Sequence, residues 1–408
     1  MRFRLQPTSA QEAVLLEHCA HARYVWNLAC EQHLHWRPGR ASAPGYVEQS
    51  RQLTEARRDF AWLAEGSQTV QQQALRDFAQ AMARFFAGTH RRPRWRKAGV
   101  HEGFRIVGRR GGQWDVRRLS RKVGEVRIPK VGWVRFRWSR DVPDEARSFR
   151  VNRDRAGRWH VCFAVIPPPV EGPGTGAVVG VDRGVAVSAA LSTGELSSVP
   201  GLRDSEAERL GRLQRRLARA QRGSNRRRRI KTAIARLKAR QTDRRKDWVE
   251  KTSTDLARRF DLIRVEDLKI GAMVRSARGT IAAPGVNVRA KTGLNRSIHA
   301  AGWGHLAIRL EHKAVGRVEK INPAYTSQTC HACGHCAADN RESQTGFRCR
   351  ACGHVDHADV NAAKNIAAGR AVTCLPRPTD PDRPPVRGAL QPLGGALNRE
   401  PQPVLSSA

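Results

Sequence analysis

Four cysteines limit the fold more tightly than anything else in the chain: Cys330 and Cys333, then fifteen residues, then Cys349 and Cys352. Two CxxC pairs at that spacing wrap four thiolates around one Zn²⁺ in a ribbon. Each pair sits on a knuckle turned by the glycine that follows it, Gly334 or Gly353. Four protein ligands leave no open position, so such a zinc is structural. Cys336, His331, His335 and His354 are close enough in sequence to replace one ligand. Two disulfides are the alternative. Against them, Cys19, Cys30 and Cys162 lie in apolar contexts, the pattern of a reducing cytoplasm.

Two apolar runs end in acids. AVVGVD (177–182) closes on Asp182, and LIRVEDL (262–268) carries Glu266 at its end. Asp359 opens DVNAAKNIAAG (359–369), a short helix whose positive dipole end favours an anion. A buried carboxylate costs several kcal/mol unless it is paired or bound to a cation. Oxygen-only ligands from separate elements suit Mg²⁺. Two such ions, about 4 Å apart, can activate water on one side of a phosphodiester and stabilise the leaving oxygen on the other. On the residues alone, Asp182 and Glu266 could equally cap their strands or pair with arginine.

The charge balance points to the same substrate class. Lys and Arg number 74 against 37 Asp and Glu, a formal net charge of +37 spread along the chain. A surface that repels itself so strongly implies a polyanionic partner. No apolar run approaches the roughly 20 residues needed to span a bilayer, and MRFRLQPTSAQEAV lacks the apolar core of a signal peptide. The expectation is a cytoplasmic, nucleoid-associated protein that binds nucleic acid and no membrane.

The periodicity predicts an α/β multidomain chain. Residues 1–6 alternate as a strand, and 9–88 turn helical. HRRPRWRK (90–97) is basic around Trp95 and reads as a nucleic-acid contact. Between 103 and 166 the period becomes two, giving short strands that make a small β-barrel with the helical segment inserted after its first strand. PPPVEGPGTG (167–176) is a linker by composition. A second domain follows, with two basic helices (205–222 and 226–260), a loop over 270–296, a helix over 297–315 and a strand over 316–323. Residues 203–251 carry 19 Lys and Arg against 6 Asp and Glu, a density suited to a channel that tracks a phosphate backbone. Trp133 and Trp138, beside Arg135 and Arg137, could stack on bases or pack in the sheet. From Ala371 the composition is Pro-, Arg- and Gly-rich, as in a disordered tail.

Taken together, VGVDRG, RVEDL and NPAYTSQTCHACG…FRCRACGHVDHADVNAAKNI resemble the TnpB proteins of insertion sequences, relatives of the type V CRISPR effector nucleases. NPxxTSQxC and DxNAAxNI are highly specific, GVDRG alone is weak, and LNRSIHAAGWG (294–304) adds to the match. The resemblance spans about residues 1–370 and implies an RNase H-like RuvC nuclease domain (177–323 and 353–370) with an inserted zinc ribbon (324–352). It further implies a wedge-type β-barrel (1–8 and 89–170), a helical recognition lobe (9–88) and a disordered tail (371–408). By motif, Asp182, Glu266 and Asp359 take the three catalytic, Mg²⁺-binding positions, and Cys330, Cys333, Cys349 and Cys352 the zinc positions.

The implied function is an RNA-guided DNA endonuclease. Its partners are a guide RNA and double-stranded DNA cut next to a short adjacent motif through one RuvC site. The alternatives are a miniature type V CRISPR effector and a guided DNA-binding repressor; the latter should have lost an acid, and all three remain. A true transposase fits less well, because sequence patterning gives no helix-turn-helix. Family members often carry a further acid or arginine near the last Asp, where this chain has Asp356, His357 and Ala358, with His357 read as solvated.

Overall fold

The computed structural model describes residues 1–35, 42–108 and 112–369; the tail expected from 371 lies outside them. The chain opens with β1 (Arg2–Gln6), then α1 (Ser9–Leu34), α2 (Tyr46–Asp59), α3 (Ala61–Glu65) and α4 (Gln68–Phe86). Thr8 and Gln11 start α1 with a reciprocal capping box, which satisfies two backbone N–H groups at the helix end. Six strands follow: β2 (Gly103–Val107), β3 (Val116–Arg118), β4 (Val123–Ile128), β5 (Gly132–Arg137), β6 (Ser148–Arg153) and β7 (Trp159–Phe163).

These seven strands form one antiparallel sheet in the order β2-β6-β7-β1-β5-β4-β3. The first strand is therefore central, and the helices are inserted between it and β2. Alternate residues turn inward, so Phe3, Phe136, Phe149 and Phe163 meet in one aromatic cluster, with Phe3 5.2 Å from Phe136 and 5.7 Å from Phe163. The same core continues into α1 and α4 through Leu15, Trp26, Leu75 and Phe78. Sheet and helices thus share one hydrophobic interior.

The basic segment 90–97 is a strap along α1. Trp26 Nε1 donates to Arg94 O (2.9 Å), and Asn27 bonds both the N–H and the carbonyl of Arg96 (2.7 and 3.0 Å). The Arg96 guanidinium stacks 3.6 Å over the Trp26 ring, and burial pushes its pKa down to about 10. Arg96 therefore serves packing, while Trp95 stays half exposed. Trp133 lies under Arg117 at 4.3 Å and Trp138 stacks on Phe136 at 5.5 Å, so both serve the sheet.

The second sheet uses β8 (Val178–Asp182), β9 (Ala189–Leu191) and β10 (Leu196–Ser197). The basic helices α5 (Asp204–Arg219) and α6 (Asn225–Arg259) then lead to β11 (Leu262–Glu266) and the single turn α7 (Ile270–Met273). Next come α8 (Val288–Ala301), α9 (Trp303–Lys313), β12 (Val318–Ile321), β13 (Gly346–Arg348), β14 (Val355–His357) and α10 (Ala358–Ala368). The order is β10-β9-β8-β11-β12, with β8, β11 and β12 parallel. The helix expected over 297–315 is two helices, broken at Gly302 in the left-handed conformation (φ 72°). The first of them begins at Val288, inside the expected loop, because VRAKTG has no apolar periodicity to announce it.

Alternation along β8 and β11 sorts the sheet's two faces. Val179, Val181, Ile263 and Val265 pack against Val249 and Leu256 of α6 and Leu306 and Leu310 of α9. Gly180 and Arg264 face α10, and Arg264 Nη1 donates to Ala367 O at 2.5 Å. A Cβ on Gly180 would lie 2.0 Å from Ala363 O and 2.4 Å from Ala367 N, so only glycine lets the helix backbone rest on β8. Gly180→Ala should cost about 1–3 kcal/mol by overpacking, measured by urea unfolding, and should lower cleavage by moving α10. An unchanged unfolding midpoint would contradict this packing.

Candidate active site and metal centre

Asp182 and Glu266 follow the register pair Val181↔Val265 on adjacent parallel strands. Being one residue on, they turn to the face that α10 covers, and Asp359 lies in the first turn of that helix. The three acids, which are far apart in sequence, therefore converge. Asp182 and Glu266 share a hydrogen bond, and Asp359 lies near enough to act on Asp182 electrostatically. Burial, then Glu266 and Asp359, push Asp182 up to about 8. Burial also raises Glu266, opposed by Arg183. Glu266 and Asp359 are 9% and 7% exposed.

The flanking contacts hold these acids in place. Arg183, on the opposite face from Asp182, donates to the backbone carbonyls of Glu266 and, at 3.3 Å, Trp303. Trp303 Nε1 donates to Gly184 O at 2.9 Å, tying the turn after Asp182 to α9. His357 is the N-cap of α10 and accepts from Asp359 N–H at 3.2 Å, which corrects its reading as a solvated residue. Arg341 is a site residue that sequence reasoning missed. It reaches out of the cysteine ribbon to place Nη2 3.1 Å from Asp359 Oδ1. Its only signal was the missing arginine near the last Asp, and the fold supplies one from 18 residues upstream.

The four cysteines form one cluster. Their sulfurs all lie within 4.8 Å of one another, with Cys330–Cys352 at 3.8 Å and Cys333–Cys349 at 3.6 Å. A tetrahedron with Zn–S bonds of about 2.3 Å has edges of about 3.8 Å, whereas a disulfide would be about 2.05 Å. The two knuckles are alike: Gly334 N–H donates to Cys330 O (2.9 Å), and Gly353 N–H to Cys349 O (3.0 Å). Both glycines have positive φ (79° and 73°). Cys336, His331, His335 and His354 are outside the set.

The basic helices α5 and α6 pair through Leu210, Leu213, Ile230 and Leu237. Among the described residues Arg212, Arg240, Arg244, Lys251 and Arg259 of these helices form ion pairs, and most of the remaining cations are exposed to solvent. A cleft of about 550 Å³ between α6 and the first sheet is lined by Arg2, Arg155, Arg158, Lys231, Lys238 and Lys246.

Fold and sites define a class: a strongly basic α/β protein whose mixed sheet presents clustered acids beside a four-cysteine ribbon. A family model described as "Probable transposase", for the OrfB proteins of IS605, matches residues 160–277. A "Cas12f1-like, TNB domain" model matches 303–366, and a "Helix-turn-helix domain" model matches 1–37. The chain is 34% identical over 393 residues to the "Putative RNA-guided DNA endonuclease InsQ" of Escherichia coli (strain K12), covering 94% of this chain and 95% of that one. It is 31% identical over 413 residues to a Streptomyces pristinaespiralis protein described in the same terms, covering 98% and 96%. The chain belongs to the TnpB family, the OrfB proteins of IS605.

A cryo-EM structure of a Cas12f1–sgRNA–target DNA complex shares the fold, with TM-score 0.53, 15% identity, and coverage of 88% of this chain and 83% of that one. The helix-turn-helix match differs from the reading of the sequence, which found none. Residues 1–35 form β1 and the uninterrupted helix α1, so no second helix stands there among the described residues. No helix among the described residues is long and apolar enough to cross a membrane.

The cluster geometry predicts about one tightly held Zn²⁺ per chain, retained through gel filtration and counted by metal analysis. Cys349→Ser should release it and lower the melting temperature, because metal binding supplies folding free energy to so small a module. Protein purified without chelator that holds no zinc would contradict the assignment.

Proposed function

We propose that this chain is an RNA-guided, metal-dependent DNA endonuclease that cuts double-stranded DNA beside a short adjacent motif. The observation that carries the reading is the convergence of Asp182, Glu266 and Asp359 on one face of the second sheet. Further support comes from the strand order, which is that of the RNase H-like fold. In this reading 177–323 with 353–370 is a split RuvC-like domain and 324–352 a zinc ribbon. Residues 1–8 with 89–170 are a wedge-type barrel, and 9–88 a recognition lobe.

The acid cluster fits Mg²⁺. Its donors are all carboxylate oxygens, and their mutual repulsion under burial is what a divalent cation relieves. When bound, two Mg²⁺ would activate a water and neutralise charge on the phosphodiester. Asp182 and Glu266 would hold the ions from the strand ends, and Asp359 from α10. Arg183 opposes the rise that burial imposes on Glu266 without entering the site. Arg341, held by Asp359 and by the carbonyls of Ser343 and Gln344, would present a fixed cation to a phosphate oxygen at the edge of the site. The exposed cations of α5 and α6 would carry the nucleic-acid backbone.

The test is cleavage of duplex DNA by purified protein with its native-locus RNA. Cutting should require Mg²⁺ and RNA, stop with EDTA and return when Mg²⁺ is restored. Cutting in EDTA would refute the metal mechanism, and cutting without RNA the guided one.

A further inference from the structure

Beside the four-cysteine cluster lies a second group of metal-binding side chains that neither the ribbon nor the acid site uses. His331, His354 and Asp356 each bring a ligand atom within 4.8 Å of the others. They come from the first knuckle, the second knuckle, and β14, which runs directly into α10. The two imidazoles stand edge to face with centroids 4.6 Å apart, and His354 Nε2 lies 3.8 Å from Asp356 Oδ2.

Two details point to a ligand. His354 Nε2 is buried and has no hydrogen-bond partner among the described residues. A buried polar atom left that way costs about 1–3 kcal/mol. The second detail is a tautomer. Asn361 Nδ2 donates to Thr329 O at 2.8 Å, and its Oδ1 accepts from His331 N–H at 3.0 Å, which fixes the amide's orientation. That same oxygen lies 3.3 Å from His331 Nδ1. An amide oxygen only accepts, so Nδ1 carries the proton and Nε2 keeps its lone pair. An imidazole held through Nδ1–H with Nε2 free is the arrangement found at metal-ligating histidines.

We propose that His331, His354 and Asp356 form a second metal site, separate from the ribbon zinc, for a divalent transition ion of the Zn²⁺ or Co²⁺ class. Two imidazoles and one carboxylate favour such an ion over Mg²⁺. Bonds of about 2.0–2.2 Å give ligand–ligand edges of about 3.3–3.6 Å, so side-chain rotations of roughly 1 Å close the site. Three protein ligands leave a position for water. Lys364 competes, because its Nζ sits 2.7 Å from Asp356 Oδ2 and must swing away when the ion enters. The site therefore fills at higher metal concentration than the ribbon. Filled, it ties both knuckles to the strand that leads to Asp359.

The test is equilibrium dialysis of full-length protein, with its ribbon zinc in place, against increasing Zn²⁺, with bound metal counted by mass spectrometry. Wild type should take up a second equivalent. His354→Ala and Asp356→Asn should each keep the first and lose the second. Lys364→Gln should bind the second roughly tenfold tighter, the equivalent of about 1.4 kcal/mol of removed competition. In cobalt-substituted protein the thiolate charge-transfer bands report the ribbon. If His354→Ala loses those bands, Asp356→Asn, outside both knuckles, decides. A single equivalent in both wild type and Lys364→Gln overturns the proposal. So does a second equivalent that persists in both His354→Ala and Asp356→Asn.

Discussion

Asp182→Asn, Glu266→Gln and Asp359→Asn should each reduce DNA cleavage by at least about 10³-fold, more than the 10–100-fold typical of losing a group behind a metal ligand. Guide and DNA binding should remain, because each change removes an oxygen ligand and leaves the sheet intact. Stability separates this from a structural role. In EDTA, burial and the neighbouring acids hold Asp182 up at about 8, against an ordinary 3.8. Between those values the unfolded chain binds fewer protons than the folded one, so wild-type stability falls as pH rises from about 4 to 8. Asp182→Asn should flatten this slope to the part that the raised Glu266 contributes, and melt no lower than wild type near pH 7. Near wild-type cleavage by any one variant would remove that residue from the site. A steep loss of stability in EDTA would make Asp182 a structural residue instead.

Much of this was legible because it is local. The apolar runs ending in Asp182 and Glu266 are buried parallel strands, whose continuous hydrophobicity marks them in sequence. The CxxC spacing specifies a cluster without reference to the rest of the chain. What failed to show depended on packing between distant segments. Arg341 meets Asp359 only because the ribbon folds back onto α10. His357 looks like a surface histidine until the helix it caps is in place. The packing of the basic strap 90–97 appears only in the fold, where Asn27 and Trp26 fix its backbone to α1. The break at Gly302 was hidden because an isolated glycine inside a helical pattern is often tolerated.

The second large effect concerns how the target is chosen. In a guided nuclease, base pairing selects the sequence, and the protein reads backbone shape and a short motif. The exposed cations of α5, α6 and the cleft around Lys238 and Lys246 suit that division, because Lys and Arg side chains of this kind would meet phosphate without reading bases. RNA affinity should accordingly fall steeply with salt. The decisive measurement is cleavage of two duplexes, identical except for the targeted segment, with the native-locus RNA, an RNA reprogrammed to the second duplex, and no RNA. Each RNA should direct cutting to its own duplex with the same protein, and without RNA neither should be cut. Cutting that ignores the guide sequence, or needs no guide, would contradict the account.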